Sequence, residues 1–319
     1  MTSKPKSHSF RSHVVILIGV ALGFGIAAAF MPAGADVPPG GDARVFYFRP
    51  PGVDTPAPAW VYLLTYPLGL LRWPLGWQIL VTLSILAAGL ASLIWGGARW
   101  WIVVLSAPVI WNFWLGQIEL FPMVGLMLGI LVWRRQIHPA WLGVGWLALA
   151  AKPQVGYGPI VLLTWWTCRD RGLKVLLPAS AAAAAILLLT TFLWPGWPGI
   201  WLTAVRELNV TWWDSSLWPY GLLAWPLALV PLRSKPQRRL RMVAAATLLG
   251  SPYFAYYHCA TLMTLAEHPF ALFLSWIPVT GLLYLENWMC WGWVLPAAFL
   301  MIDFLQVCRQ WSAARRSAA

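Results

Sequence analysis

The chain has 319 residues, of which 60% are hydrophobic and only 10% are charged, whereas a soluble domain is normally about 25% charged. Apolar runs near the length of a bilayer span recur along it, and tryptophan, present 25 times, is enriched at membrane–water interfaces. This composition excludes a soluble globular protein. We therefore expect one all-α transmembrane domain, a polytopic helical bundle, over residues 1–319.

The net charge is +12. A nucleic-acid-binding protein would place such a charge on one solvated face, but here it is divided into short clusters between apolar runs. That pattern is typical of cytoplasmic loops that obey the positive-inside rule, so we expect no nucleic-acid partner. The predicted cytoplasmic clusters are Lys4–Arg11, Arg99, Arg134–Arg135, Arg169–Lys174, Arg233–Arg241 and Arg309–Arg316.

The first apolar run, Val14–Met31, is longer than the apolar region of a signal peptide, which has roughly 7–15 residues, and we interpret it as a retained anchor. A cytoplasmic N-terminus then places the loop 32–60 outside the cell. The stretch that follows, "WVYLLTYPLGLLRWPLG", contains Pro67 and Pro74. Because proline interrupts a helix, we expect short interfacial helices here.

Further spans are predicted at 77–95, 101–115, 120–133, 175–194 and 217–232, with a second outer loop at 195–216. The residues between His138 and Arg169 are too few for two full spans, so they predict two short helices that break at Lys152–Pro153. A second break at Ser251–Pro252 would give an even number of spans. The total is then about 10–12.

Polar residues near the predicted outer surface are the candidates for chemistry. They are Asp36, Asp42, Arg44, Arg49, Asp54, Gln117, Glu119, Arg206, Glu207, Asn209 and Asp214, with Lys152 and His258 at the helix breaks. An ionisable group within a membrane segment is costly and indicates function. The structural alternatives are that Lys152 extends to an interface, that Glu119 pairs with a loop arginine, that His258 is a satisfied core residue, and that Asp36 and Asp54 are simply solvated.

The usual motifs of soluble enzymes are absent: there is no GxSxG, HExxH or GxxxxGK[ST]. Cys168, Cys259, Cys290 and Cys308 show no metal-ligand spacing. We therefore expect no cofactor and no divalent metal, and we expect any reactants to come from the membrane or its outer face.

Six segments run in an order that resembles a known family. They are "GGDARVFYF", "LLTYPLGLLRWPLG", "NFWLGQIELFPMVGLMLGILVWRR", "WLGVGWLALAAKPQ", "DSSLWPYGLL" and "LLGSPYFAYYHCATLM". The chain resembles the multi-pass C-type (GT-C) glycosyltransferases that use polyprenyl-phosphate sugars, in particular the bacterial mannosyltransferase-like branch. It departs from their pattern at Leu68, where a second proline is usual, and it is shorter than most members.

The resemblance implies a GT-C-like fold whose two outer loops form an external site. It implies inverting transfer of a sugar, a mannose-like hexose or a pentose, from a polyprenyl-phosphate donor to a hydroxyl acceptor at the extracytoplasmic face of a bacterial-type plasma membrane. The expected partners are the lipid-linked sugar and membrane lipids. The implied substrate-binding residues are Arg44, Arg49, Tyr66, Gln117, Glu119, Lys152, Arg206, Asp214 and His258.

The resemblance also implies that Asp42 is the general base, since it stands where the family has a loop aspartate followed by aromatic residues. We further expect Arg44, two residues away, to keep this carboxylate ionised, because a cation within about 4–6 Å favours the charged form. The leaving lipid phosphate needs positive charge where negative charge develops. Lys152 and the loop arginines are the candidates to supply it.

Two other classes of function remain open. A non-catalytic transmembrane scaffold subunit of a larger membrane complex would also be rich in tryptophan and poor in acids, but it has no need of a carboxylate among arginines. A transporter for a lipid-linked sugar would show inverted repeats, and none is visible in the sequence.

Overall fold

The structure is a computed structural model that describes residues 7–30, 39–52, 57–95, 99–207, 214–229, 235–280 and 288–316. Within these ranges every regular element is helical and there is no strand, which confirms the all-α prediction. Asp36, Asp54 and Asn209 lie outside the described residues.

The helices of the N-terminal third are α1 (Ser7–Ala28), α2 (Ala59–Gly69), α3 (Leu75–Trp95), α4 (Trp100–Val104) and α5 (Ala107–Leu115), with a π-turn at Ala43–Tyr47 between α1 and α2. The middle of the chain forms α6 (Leu120–Trp133), α7 (Ala140–Ala150), α8 (Pro153–Arg171), α9 (Leu176–Leu193) and α10 (Trp197–Glu207). The C-terminal third forms α11 (Ala224–Leu229), α12 (Pro236–Leu249), α13 (Cys259–Met263), α14 (Phe270–Thr280) and α15 (Val294–Arg316).

Four helical segments are long and apolar enough to cross a membrane: Phe10–Ala28, Leu75–Trp95, Leu173–Leu193 and Cys290–Ala313. The other apolar helices are shorter, with 10–17 residues. The chain therefore has the helices of a polytopic membrane protein. The total of 10–12 spans stays a prediction, since it counts the shorter helices as well.

Two of the predicted spans are wrong in detail. The predicted span 101–115 is interrupted, because α4 ends at Val104 and α5 begins at Ala107 with Pro108 in its first turn. Proline has no N–H to donate to the preceding turn and belongs at a helix start. The predicted span 217–232 begins later than expected, with a short 3-10 turn at Tyr220–Leu223 that is followed by α11. Residues 230–234 lie outside the described part of the chain.

Helices α1–α8 and α11–α15 contribute buried residues to one large hydrophobic core, and α9 joins α7 through a smaller cluster. Along the bundle α1 packs on α3, α3 on α6, α6 on α7 and α7 on α9, while α8 joins α6 and α7 to α12, which in turn packs on α11 and α15. The α12 positions Ala244, Ala245 and Ala246 are all buried. Small side chains at such contacts let helices approach closely, as in other membrane bundles.

At one end of the bundle, arginine side chains donate hydrogen bonds to backbone carbonyls near helix ends and so link neighbouring helices. The pairs are Arg99 with Glu267, Arg134 with Ile94, Arg135 with Asp170, and Arg171 with Val132. The last carbonyls of a helix have no partner within it, and cations there are favoured by the helix dipole. We call this the basic end, and it contains three of the clusters predicted to be cytoplasmic.

A buried ion pair joins α12 to α15 towards the same end. Arg241 donates from Nε to Asp303 Oδ2 at 2.6 Å and from Nη2 to Oδ1 at 2.7 Å, and its Nη1 donates to the Leu265 carbonyl at 2.8 Å. Both side chains are almost fully buried. The pair satisfies two charges that would otherwise be costly in an apolar interior.

Candidate functional site

The site lies at the opposite end of the bundle, as the direction of two helices shows. Helix α6 ends at the basic end, beside Arg134, so the turn Gly116–Glu119 that precedes it lies at the other end. Helix α8 likewise ends at Arg171, which places Lys152, just before its start, near that turn.

A glycine fixes the turn before α6. Gly116 ends α5 in the left-handed conformation, with φ 77° and ψ 36°, which glycine adopts at little cost. A Cβ at this position would lie 2.7 Å from the Cβ of Ala43, and the Gly40 N–H donates to the Trp114 carbonyl at 2.7 Å. The segment with Asp42 is therefore packed directly onto the turn that carries Gln117.

Gln117 joins three of the surrounding polar groups. Its Nε2 donates to Asp42 Oδ2. Its Oε1 accepts from Lys152 Nζ at 2.9 Å and from the Tyr47 hydroxyl at 3.1 Å. Gln117 is nearly fully buried, so these bonds replace water as its partner. We call Asp42, Gln117, Glu119, Lys152 and His258 the Gln117 cluster.

Lys152 sits at the predicted helix break, which the structure confirms. Helix α7 ends at Ala150, and α8 begins at Pro153, with Lys152 between them in a non-helical conformation, φ −133° and ψ 82°. Proline disfavours a helical residue before it. The side chain points into the protein and is only 9% exposed, and its Nζ lies 5.4 Å from the centre of the Tyr257 ring. Lys152 therefore does not extend to an interface.

His258 is fully buried beside Lys152 and is oriented by its own backbone turn. The Ala255 N–H donates to Nδ1 at 3.0 Å, so in the neutral ring the proton is assigned to Nε2. That nitrogen lies 3.5 Å from Lys152 Nζ and 3.2 Å from the Gln154 amide. It also faces Glu119 Oε1 at 3.6 Å.

Glu119 is fully buried at the start of α6. Thr261 donates to its Oε2 at 3.1 Å, and its backbone N–H donates to Asn112 Oδ1 at 3.4 Å. Among the described residues Oε1 has no hydrogen-bond partner. The predicted alternative, a pair with a loop arginine, does not form in the described part of the chain, where the titratable side chain that faces Glu119 Oε1 is His258, at 3.6 Å.

The electrostatic surroundings of Asp42 differ from those predicted. Burial raises the pKa of Asp42 above its ordinary value, and the Gln117 hydrogen bond and then the Lys152 charge act against that rise. Arg44 does not contribute, because side chains two residues apart on a helical turn do not face each other. The Arg44 guanidinium instead lies over the ring of Trp73, 5.7 Å from its centre. The expected role of Arg44 in keeping Asp42 ionised is therefore wrong.

Five of the predicted site residues lie outside the Gln117 cluster. Arg44 and Arg49 line a separate cavity, Tyr66 packs half-buried in an aromatic cluster around Tyr62, and Arg206 is exposed at the end of α10. Asp214 stabilises the backbone next to the site, because its Oδ1 accepts from the N–H groups of Ser216 at 2.8 Å and Phe254 at 3.2 Å.

Sequence reasoning missed three tyrosines. Tyr47 binds Gln117, the ring of Tyr257 lies 4.5 Å from that of His258, and Tyr253 shares a hydrogen bond with Tyr257. The sequence did contain a signal, since "FYF" begins four residues after Asp42 and "PYFAYYH" ends on His258. Aromatic residues beside a predicted polar site often form its wall, because tyrosine combines an apolar ring with a hydroxyl.

In the Gln117 cluster one amide links the half-buried carboxylate of Asp42 to the buried ammonium of Lys152, and the buried imidazole of His258 lies beside that ammonium and the Glu119 carboxylate. Such a set can accept a proton at Asp42 and can hold an anion near Lys152. Comparison with known protein families, curated proteins and solved structures gives no match.

Proposed function

We propose that the protein is an inverting glycosyltransferase of the GT-C type, which transfers a mannose-like hexose or a pentose from a polyprenyl-phosphate donor to a hydroxyl acceptor. One observation carries the proposal. Asp42, Gln117, Lys152 and His258 come from four separate segments that the resemblance selects, and they are in contact in one cluster. This convergence supports a shared site, since an unrelated bundle has no reason to bring these segments together.

In the proposed reaction Asp42 is the general base. Its carboxylate takes the proton of the acceptor hydroxyl, and that oxygen forms a bond to the anomeric carbon from the side opposite the phosphate. The bond from the anomeric carbon to the phosphate oxygen breaks, and its electron pair stays on the lipid phosphate. Gln117 holds Oδ2 of Asp42, so we assign proton transfer to Oδ1.

Lys152 has the second role in the proposal. Its buried ammonium is positioned by Gln117 and by the Tyr257 ring, and it stabilises the negative charge that develops on the leaving phosphate. Preorganised charge of this kind is often the largest contribution to catalysis, because it needs no reorganisation during the reaction. Glu119 and His258 complete the buried surroundings of Lys152.

The proposal includes a placement in the membrane. The basic end faces the cytoplasm by the positive-inside rule, so the Gln117 cluster lies at the extracytoplasmic side of a bacterial-type plasma membrane. The shorter helices, together with the four long ones, then make up a GT-C-like bundle of about 10–12 spans.

The test is sugar transfer by the purified protein in lipid nanodiscs, with polyprenyl-phosphate mannose and polyprenyl-phosphate pentose as donors. Asp42→Asn keeps the shape of the side chain but removes its basicity, and loss of a general base typically costs about 10²–10⁴ in rate. We expect a loss of that size with donor binding retained. The matched control is Glu207→Gln, a carboxylate at the exposed end of α10, which should transfer at the wild-type rate.

Two results would contradict the proposed function. Full activity in Asp42→Asn overturns the role of Asp42. Absence of transfer by the wild-type protein with both donors, combined with stoichiometric co-purification of another membrane protein, favours the scaffold subunit instead.

A further inference from the structure

A second polar site lies on the other side of the π-turn from Asp42. It is a cavity of about 250 Å³, separate from the Gln117 cluster. Its lining residues are Arg44, Phe48, Arg49, Gly69, Leu71, Trp73 and Gly76.

The cavity is positively charged. Arg44 and Arg49 are both exposed, and among the residues that the structure describes no carboxylate forms an ion pair with either guanidinium. The Trp73 ring lies beneath Arg44 and stacks on Trp77 at 5.7 Å with the ring planes 5° apart. A guanidinium held over an aromatic face in this way keeps its N–H groups directed outward, and they match the geometry of a phosphate oxygen pair.

Exposed apolar residues lie in and beside the cavity. The lining residues Leu71 and Trp73 are each 39% exposed, and Leu70 and Leu75, which flank them in the sequence, are 70% and 47% exposed. All four lie between α2 and the start of α3, in the segment predicted to lie along the membrane interface. Exposed leucines beside a tryptophan are typical of a surface that enters the boundary between headgroups and acyl chains, where tryptophan is enriched.

We infer that this cavity binds the phosphate headgroup of an anionic membrane lipid. Arg44 and Arg49 contact the phosphate, and the acyl chains lie along Leu70, Leu71 and Leu75. Cations alone would suit a free phosphate equally well, but the exposed apolar residues beside the two arginines favour a ligand that has an anionic head and a hydrocarbon tail. The inference does not depend on the proposed sugar transfer, since Asp42 and Lys152 do not line the cavity.

The test uses isothermal titration calorimetry to measure lipid binding by the full-length protein in neutral detergent. The probes are dihexanoyl phosphatidic acid, dihexanoyl phosphatidylcholine and inorganic phosphate. We expect saturable binding of the phosphatidic acid only. Each substitution removes charge-assisted hydrogen bonds to the phosphate, so Arg44→Ala and Arg49→Ala should each weaken its binding about tenfold to a hundredfold.

Arg72→Ala is the matched control, because Arg72 is exposed in the same segment but does not line the cavity. This substitution should change the affinity for the lipid less than about twofold, because a side chain outside the cavity makes no hydrogen bond to the bound phosphate. The variant Arg44→Lys keeps the charge and should bind more tightly than Arg44→Ala, which separates loss of the contact from a folding defect.

Several results would overturn the inference. An equal loss in Arg72→Ala indicates unspecific attraction, equal binding of phosphatidylcholine removes the role of net charge, and equally tight binding of inorganic phosphate shows a site for free phosphate. Asp42→Asn should leave lipid binding unchanged. Loss of lipid binding with sugar transfer intact, or the reverse, therefore separates this site from the proposed active site.

Discussion

Asp42 shows how one residue depends on contacts that the sequence does not reveal. Its nearest charged neighbour in the sequence is Arg44, but the cation that acts on it is Lys152, which is 110 residues away in the chain and linked to it through Gln117. The amide of Gln117 donates to the base and accepts from the ammonium, so it can position both groups without carrying a charge itself.

This arrangement predicts the pH dependence of sugar transfer. The base must be ionised, and burial raises the pKa of Asp42, so activity should fall as the pH drops through a value above the ordinary carboxyl pKa of about 3.9. Lys152 acts against that rise. Removal of its charge in Lys152→Met should therefore move the acid limb of the kcat/KM profile to higher pH.

The measurement is the position of that limb, which is independent of the lower overall rate expected for Lys152→Met. Arg44→Met provides the control, because it removes a cation two residues from Asp42 that faces away from it, and its acid limb should stay at the wild-type pH. A limb that moves in Arg44→Met but not in Lys152→Met would contradict the structure.

Among the elements, the turn between α5 and α6 determines whether the site assembles. Gly116→Ala should lower the rate of sugar transfer at least tenfold, a barrier increase of about 1.4 kcal/mol. An alanine in the left-handed conformation costs about 1–2 kcal/mol, and its Cβ would also lie 2.7 Å from the Cβ and 3.0 Å from the backbone nitrogen of Ala43. The segment that carries Asp42 must then move away from Gln117.

Gly196→Ala is the control for this prediction. Gly196 also has a positive φ, of 82°, but a Cβ there would meet nothing within 4 Å. It should lower the thermal stability through backbone strain and leave the transfer rate close to wild type. If the two variants lose activity equally, the close contact with Ala43 has no role in the site.

The contact between α12 and α15 depends on the buried pair of Arg241 and Asp303. Asp303→Asn removes the buried counter-charge of the guanidinium and leaves it only the largely exposed Glu267, whose Oε1 lies 3.6 Å from Nη1. Breaking a buried pair on one side typically costs about 3–5 kcal/mol of unfolding free energy. Asp170→Asn breaks the partly exposed pair with Arg169, which should cost about 0–1 kcal/mol. Unfolding of both variants in detergent measures the difference, and equal losses would show that the buried pair does not stabilise this contact.

At the scale of the whole molecule, the sequence predicted the positions of helices and helix breaks better than the contacts between distant side chains. Helix α6 agrees with the predicted span 120–133 because Glu119 and Arg134 bound an uninterrupted apolar run. The break at Lys152 followed from the number of residues available and from Pro153. The break between α4 and α5 was missed because Pro108 lies in a mostly apolar run, 101–115, that was interpreted as one span.

The composition of the site was only partly predictable. Asp42, Gln117, Lys152 and His258 were identified as polar residues near the predicted outer surface or at helix breaks, and then through the resemblance, but their mutual contacts depend on how α5, α6, α7 and α8 pack. Tyr47, Tyr253 and Tyr257 were not identified, because tyrosines in an aromatic-rich chain give no separate signal. The direction of Arg44 was predicted wrongly because distance along the sequence does not show which side of a turn a residue faces.

The proposal as a whole depends on which side of the membrane carries the Gln117 cluster, and this can be tested with two cysteines. Val45 is 48% exposed next to the cluster, and Leu173 is 73% exposed at the start of the segment Leu173–Leu193 near the basic end. With Cys168, Cys290 and Cys308 replaced by serine and the buried Cys259 retained, each position can be labelled by a membrane-impermeant maleimide.

Because the positive-inside rule places the basic end in the cytoplasm, Val45→Cys should react in intact cells and Leu173→Cys only after permeabilisation. The reverse result would put Asp42 and Lys152 on the cytoplasmic side. The extracytoplasmic transfer proposed above would then be wrong, although the phosphate cavity at Arg44 and Arg49 would remain testable, since it requires a lipid headgroup but not a particular leaflet. Labelling of both positions in intact cells would show instead that the two ends of the bundle do not lie on opposite sides of the membrane.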